Sequence, residues 1–255
     1  MSQDNIFSLK GRTALITGAS SGIGLHIAGV YARAGARVVL AARRMERIDA
    51  AVADLRKAGH QASGVYLDVT QTQTIAAAFD TVEKDLGAPL DILFNNSGVL
   101  YSKSFLEQDE QEISRIFDTN LKGAMLVAQQ AARRMAAAGG GVIINIASTA
   151  GLRAGGSLSS YGASKAALIH LGNVMALELA PKGIRVNTIC PGNIDTDMQA
   201  SLAQFEQALI KRTPMRRFGK PEDLDGVALL LASDAGRYMT GTAIAVDGGQ
   251  TLTWM

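Results

Sequence analysis

Tyr161 and Lys165 stand four residues apart in the stretch Ser160-Tyr161-Gly162-Ala163-Ser164-Lys165. On a helix that spacing sets both side chains on one face, one turn apart. A free phenol titrates near pH 10 and is a poor acid or base at neutrality. An ammonium held beside it stabilises the phenolate and draws its pKa toward the working range. A second constellation lies near the start of the chain, where Thr17-Gly18-Ala19-Ser20-Ser21-Gly22-Ile23-Gly24 runs from an apolar β-rich stretch into an apolar helical one. Glycines there permit a tight bend and let backbone N–H groups at a helix N-terminus approach a pyrophosphate. A third is Leu40-Ala41-Ala42-Arg43-Arg44, which lacks the carboxylate that NAD(H) sites place there for the adenosine ribose hydroxyls. A guanidinium grips a phosphate through two hydrogen bonds. Arg43 and Arg44, with the Ser21 hydroxyl beside them, therefore favour NADP(H) over NAD(H).

These residues need elements to hold them. Strands are predicted at Arg12–Thr17, Arg37–Ala41, Gly64–Asp68, Ile92–Asn95, Val142–Ala147, Ile184–Cys190 and Ala243–Val246. Most are continuous apolar runs without in/out alternation, the pattern of strands buried on both faces. Helical windows lie between them at Gly24–Ala34, Arg44–Ala58, Thr72–Leu86, Asp109–Ala136, Ser160–Ala180 and Glu222–Ala232. Such alternation specifies an α/β fold, a doubly wound parallel sheet of about seven strands with helices on both faces. No linker or repeat interrupts it, so residues 1–255 read as one domain. The exception is the stretch from about 193 to 220, a polar turn followed by a short helical pattern at Leu202, Phe205 and Leu209. It follows a strand end, where open α/β sheets bind ligands, and reads as a small lid between the sixth strand and the following helix.

Composition narrows the classes further. The net charge of +2 is small, and the densest basic cluster, Arg43, Arg44 and Arg47, is too short for a nucleic-acid footprint. One cysteine, Cys190, rules out an intrachain disulfide, and His26, His60 and His170 show no metal-ligand spacing, so no metal site is expected. The first residues lack the layout of a signal peptide, and no apolar run approaches the roughly 18 residues that span a bilayer. A cytoplasmic protein with no membrane or nucleic-acid partner is the expectation.

The chain resembles the short-chain dehydrogenase/reductase family from about Leu9 to Gly249. Thr17, Gly18, Gly22 and Gly24 match the family's TGxxxGxG. Asp68-Val69 matches its adenine-contacting pair, and Asn95-Asn96-Ser97-Gly98 its NNAG, with Ser97 in place of alanine. Asn120 falls where the family has its active-site asparagine. Ser148 stands thirteen residues before Tyr161, as the family's catalytic serine does, and Pro191-Gly192 with Thr196 matches the nicotinamide-side segment. The resemblance implies a Rossmann-like fold and hydride transfer between a nicotinamide and a carbonyl or alcohol carbon.

The resemblance also implies roles. Tyr161 would exchange the proton, Lys165 would lower the tyrosine pKa and bind the nicotinamide ribose, Ser148 would hold the substrate oxygen, and Asn120 would hold a relay water. On the cofactor, Gly18, Ser20, Ser21, Gly22 and the backbone of Ile23 and Gly24 would line the pyrophosphate. Arg43 and Arg44 would take the 2′-phosphate, Asp68 and Val69 the adenine, and Asn95 the adenosine ribose. Ser97 and Gly98 would lie beside the cofactor, Pro191 and Gly192 on the nicotinamide side, and Ile194 and Thr196 at its carboxamide.

The helix bearing Tyr161 is apolar over more than one stripe, through Leu168, Ile169, Leu171, Val174, Met175, Leu177 and Leu179. Related enzymes pair this helix with the preceding long one, near Gly123–Met135, so a homotetramer is expected, with a dimer as the runner-up. The apolar tail Thr251–Met255 is a candidate for a second interface. Leu100, Tyr101, Leu152 to Leu158, Met198, Leu202 and Phe205 suggest an apolar substrate lining, suited to a ketone or acyl group more than to a charged sugar acid. A carbonyl or 3-oxoacyl-type reductase is the first reading and an NAD-linked sugar or polyol dehydrogenase the second. A dinucleotide-sensing binding module is the rival from another class, and it predicts a broken tetrad.

Overall fold

In the computed structural model, which describes residues 6–198 and 205–252, the apolar runs form seven strands. They are β1 (Thr13–Thr17), β2 (Arg37–Ala42), β3 (Ala62–Tyr66), β4 (Ile92–Asn95), β5 (Gly141–Ile146), β6 (Ile184–Pro191) and β7 (Ala243–Val246). All neighbours pair in parallel, in the order β3-β2-β1-β4-β5-β6-β7. The order reverses between β1 and β4. Outgoing connections diverge there and leave a crevice at the strands' carboxyl ends.

The helices are α1 (Gly22–Arg33), α2 (Met45–Lys57), α3 (Thr72–Leu86), α4 (Glu110–Phe117), α5 (Ala124–Ala138), α6 (Ser159–Leu179), α7 (Glu206–Arg212) and α8 (Asp225–Ala232). Two apolar layers sandwich the sheet, because successive strand residues point to opposite faces. One contains Ile16, Ile27, Leu40, Phe94, Ile144 and Leu231. The other contains Leu15, Val39, Phe79, Leu93, Val127 and Ile143. In the first, Tyr31 meets Phe94 edge-on at 5.8 Å and its hydroxyl donates to Ala228 O (3.1 Å), tying α1 to α8. In the second, the Arg134 guanidinium of α5 lies 5.3 Å over Phe79 and pairs with Asp80 and Glu83 of α3.

Several boundaries differ from those predicted, three of them with consequences for the site. β3 starts and ends two residues early, in register with β2 from Val38↔Ala62 to Ala42↔Tyr66. Asp68 then turns the chain by accepting from the Thr70 N–H (3.0 Å) and hydroxyl (2.7 Å). The window Asp109–Ala136 is not one α-helix, since a π-helical turn, Asp118–Gly123, separates α4 from α5. In the last window, Pro221–Leu224 form a 3₁₀ turn before α8.

The 193–220 excursion carries α7 and is pinched at its base. Asp195 N–H donates to Gly219 O (2.8 Å) and Gly219 N–H to Asn193 O (2.9 Å). Leu202 of the expected lid and Thr253–Met255 of the expected interface tail lie outside the described residues. Among the described residues no helix is long and apolar enough to cross a membrane.

Candidate active site

At the β1/β4 switch point lies a cleft of about 460 Å³. It is lined by Gly18, Ser20, Ser21, Gly22 and Ile23 of the glycine turn, Arg43 and Arg44 after β2, Leu67 to Thr70 after β3, and Asn96 to Val99 after β4. The turn bends through positive φ at Gly18 (65°) and Gly22 (56°), which side chains rarely adopt. Gly24 is needed for a different reason. A Cβ there would come within 2.6 Å of Gly18 O, so it contributes only its backbone and keeps α1 close to the turn.

The cleft suits an anion. Ser21, the extended residue before α1, leaves the first-turn N–H groups uncapped by its side chain, and the first turn carries no acidic residue. The Ser21 hydroxyl instead accepts from Arg44 Nη2 (3.0 Å). Ser20 Oγ accepts from Arg44 Nε (3.2 Å) and Nη2 (2.8 Å). Arg44 is thereby fastened across the glycine turn, beside the uncapped N–H groups. A pyrophosphate on the helix terminus and a ribose 2′-phosphate on the guanidinium match this donor set.

Beyond Gly98 the second constellation comes together. The side chains of Ser148 and Tyr161 are hydrogen-bonded. Ser148 follows β5 in extended backbone, and its Oγ also accepts from Ala150 N–H (3.1 Å). Lys165 Nζ lies 5.8 Å from the Tyr161 ring centroid and donates to Ile146 O (2.9 Å). Asn120 sits in the π turn. Its Oδ1 accepts from Val99 N–H (2.8 Å), and its Nδ2 donates to Val99 O (2.9 Å) and Ser164 Oγ (3.3 Å). Ser164 Oγ donates onward to Tyr161 O (2.7 Å). A side chain on Gly98 would begin 3.4 Å from both Asn120 Oδ1 and Lys165 Nζ, so the glycine lets the strip between them stay narrow.

Burial dominates the electrostatics. It pushes the Tyr161 phenol above its ordinary value, and the Ser148 hydrogen bond pulls it back. Burial lowers Lys165 to about 8, partly opposed by the nearby Cys190. The Cys190 thiol, buried at the end of β6, is raised to about 11 by burial, with Lys165 and a Ser148 backbone hydrogen bond opposing. Lys165 was expected to lower the tyrosine pKa, and its ammonium lies beside the phenol, 5.8 Å from the ring centroid. The ammonium is itself desolvated and bonded to Ile146 O, and the Ser148 hydrogen bond counteracts burial at the phenol.

Of the residues expected to meet a cofactor, Gly18, Ser20, Ser21, Gly22, Ile23, Arg43, Arg44, Asp68, Val69, Ser97, Gly98 and Thr196 line the cleft. The Asn95 side chain is not among them. Strand alternation turns it with Leu93 toward α5, where its Nδ2 donates to Ala124 O (2.9 Å) and Asn145 Oδ1 (3.0 Å). Pro191, Gly192 and Ile194 also lie away from the lining. Gly192 packs against Asp247, and Ile194 is buried at the base of the excursion. Sequence reading missed Asn96, Thr70, Arg115, Thr119 and Asp197, which reach the cleft. Asn96 had a signal, since it adjoins Thr17 in the parallel order. Its N–H donates to Thr17 Oγ1 (2.9 Å) and its Nδ2 to Thr17 O (3.0 Å). Arg115 and Thr119 had none, because the fold alone swings α4 over the cleft.

Comparison with known proteins agrees with this geometry. Residues 18–251 match a family model described as enoyl-(acyl carrier protein) reductase. The gluconate 5-dehydrogenase of Gluconobacter oxydans is 37% identical over 256 residues, covering 99% of this chain and 100% of that protein. The crystal structure of a short-chain type dehydrogenase/reductase from Mycobacterium marinum superposes with a TM-score of 0.94 at 41% identity, covering 97% and 98% of the two chains. That of a gluconate 5-dehydrogenase from Burkholderia cenocepacia, in complex with NADP and tartrate, has a TM-score of 0.93 at 36% identity, covering 97% and 98%.

Proposed function

The chain belongs to the short-chain dehydrogenase/reductase family and is an oxidoreductase acting on CH–OH and C=O groups, and on that premise we propose that it works with NADP(H) in preference to NAD(H), through Tyr161, Ser148, Lys165 and Asn120. The observation that carries the cofactor preference is the Arg44 guanidinium fastened by Ser20 and Ser21 in the cleft. The NADP complex of the Burkholderia relative supports the same reading. The dinucleotide, when bound, supplies or accepts the hydride. Everything else falls to side chains.

Hydride delivery to a carbonyl leaves charge on oxygen, and the site must answer it with a proton and a hydrogen bond. Tyr161 donates the proton in reduction and accepts one in oxidation. Ser148, already bonded to the phenol, can share the same substrate oxygen and fix it at donating distance. Lys165 holds positive charge near the phenol and, with Asn120 across Gly98, lines the route by which Tyr161 regains its proton. The raised phenol pKa keeps Tyr161 protonated at neutrality, so reduction runs at neutral pH and oxidation gains as pH rises.

For the substrate, the full-length similarity to gluconate 5-dehydrogenases supports a hydroxylated keto acid of the 5-ketogluconate kind. A 3-oxoacyl thioester or apolar ketone is the second reading. It is supported by the partly exposed Leu100, Tyr101, Leu152, Met198 and Phe205 on the segments that follow β4, β5 and β6.

The test is NADPH and NADH oxidation over a panel containing 5-ketogluconate, a 3-oxoacyl thioester, neutral keto sugars and simple ketones. NADPH-linked turnover of one class is expected. Arg44→Ala should raise the KM for NADPH at least about tenfold, the worth of a charge-assisted hydrogen bond, and leave that for NADH unchanged. Tyr161→Phe should abolish turnover while cofactor affinity stays within about twofold. Turnover with NADH alone would overturn the cofactor preference. Cofactor binding without turnover on any carbonyl would reinstate the binding-module reading.

A further inference from the structure

We infer that Asn145 is a positioning residue of this active site, resting on the tetrad reading above. It sets the π turn that carries Asn120 through one relayed hydrogen bond. Asn145 lies on β5, fully buried, in a strand whose other residues from Val142 to Ile146 are all apolar. Its side chain is on the face of Ile143, in the layer shared with α5, where an apolar residue would extend the core. Instead the amide is buried with its Nδ2 lacking a hydrogen-bond partner among the described residues. An unsatisfied buried donor is destabilising, so Asn145 is there for its other end.

That other end is an acceptor. The β4–β5 register sets Asn95 directly beside Asn145, and Asn95 Nδ2 donates to Asn145 Oδ1 (3.0 Å) as well as to Ala124 O (2.9 Å). Ala124 is the first residue after the π turn. At the other end of the same stretch, Asn120 brackets Val99 through both of its amide atoms. Residues 95–99 and 120–124 therefore run side by side, fastened at both ends, with Ser97 and Gly98 of the cleft between the fastenings. Asn145 orients the Asn95 amide so that its second N–H points at Ala124 O. The next residue, Ile146, supplies the carbonyl that holds Lys165. One dipeptide of β5 thus references both Asn120 and Lys165 to the sheet.

The test compares Asn145→Leu, which removes the acceptor, with Asn145→Asp, which keeps it. Hydrogen exchange of the Val99 amide, read in the cofactor-free protein, reports the Asn120 bond without any turnover. Asn145→Leu should speed that exchange at least tenfold and lower kcat at least tenfold, with the melting temperature and NADPH affinity nearly unchanged. Asn145→Asp should restore exchange and kcat to within about threefold of the wild type. If Asn145→Leu fails to fold, Asn145→Ser, too short to reach Asn95, takes its place. Wild-type exchange at Val99 in the acceptor-less variant overturns the inference, as does an aspartate variant that folds but behaves like leucine. A wild type that turns over no carbonyl would refute the functional reading, and the exchange comparison would still decide the role of Asn145.

Discussion

Lys165 illustrates at the scale of one residue how a site is kept at the expense of the fold. Its ammonium is buried, with its pKa lowered from 10.5 to about 8. Between those two values the unfolded chain holds the proton and the native chain does not, so stability rises with pH across that window. Below about pH 8 both states are protonated, and the native state bears the full desolvation cost, on the order of 3 kcal/mol. Cys190 acts with the opposite sign. Its pKa is raised from 9.0 to about 11, so it holds its proton longer in the native state and lowers stability over that range. The cofactor-free protein should therefore gain about 1 kcal/mol between pH 8 and 9 and level off above. Lys165→Met should lose that gain, be more stable than the wild type at pH 7, and be inactive. Urea unfolding of both proteins at pH 7, 8 and 9 checks it. A parallel pH dependence in the two would mean that Lys165 is not the titrating group. Tyr161, Lys165 and the glycine turn were legible because chemistry restricts them to few residue types at fixed spacings, and Ser148 came from the family resemblance. Asn145 was not legible, since its role depends on which residue the neighbouring strand sets beside it.

At the scale of elements the decisive feature is the π turn between α4 and α5. The residues from Asp109 to Ala136 read as one helix because local periodicity hardly distinguishes 3.6 residues per turn from a single wider turn. What widens the turn is tertiary: Asn120 reaches back to Val99, and Gly123 abuts the chain at Val69. A Cβ on Gly123 would come within 2.6 Å of Val69 O and 3.0 Å of Asp118 O, both backbone atoms that cannot swing aside. Gly123→Ala should therefore destabilise by about 1–3 kcal/mol, seen as a melting temperature several degrees lower. It should also weaken cofactor binding, because Val69 lines the cleft. Gly226→Ala on α8 is the control. A Cβ there meets nothing within 4 Å, and the change should raise stability by up to about 1 kcal/mol. Equal melting temperatures for the two variants would show that the π turn can relax around a side chain.

For the whole molecule, the described surface leaves apolar side chains on two neighbouring helices. Met125 of α5 is 48% exposed, Leu177 of α6 is 80% exposed, and Val174 lies one turn before Leu177. These side chains fit the homotetramer expected from the family resemblance, built on α5 and α6. Light scattering on the purified protein should give four times the chain mass, and Leu177→Glu should give a smaller species. A monomeric wild type would dismiss the assembly. Sequence by itself determined the strand–helix alternation, the parallel doubly wound sheet and the residue types of the chemistry, because periodicity and turn glycines act over a few neighbouring residues. It also supplied Arg43 and Arg44 as cations of the cleft. The tertiary structure decided what depends on distant partners: that Asn95 faces α5 while Asn96 faces the cleft, that Arg44 is fastened by two serines, and that burial raises the tyrosine pKa while Ser148 opposes it. The physical reason is the same each time. A side chain's hydrogen-bond partner and its loss of water are set by segments far away in sequence, and they exist only once the sheet has brought those segments together.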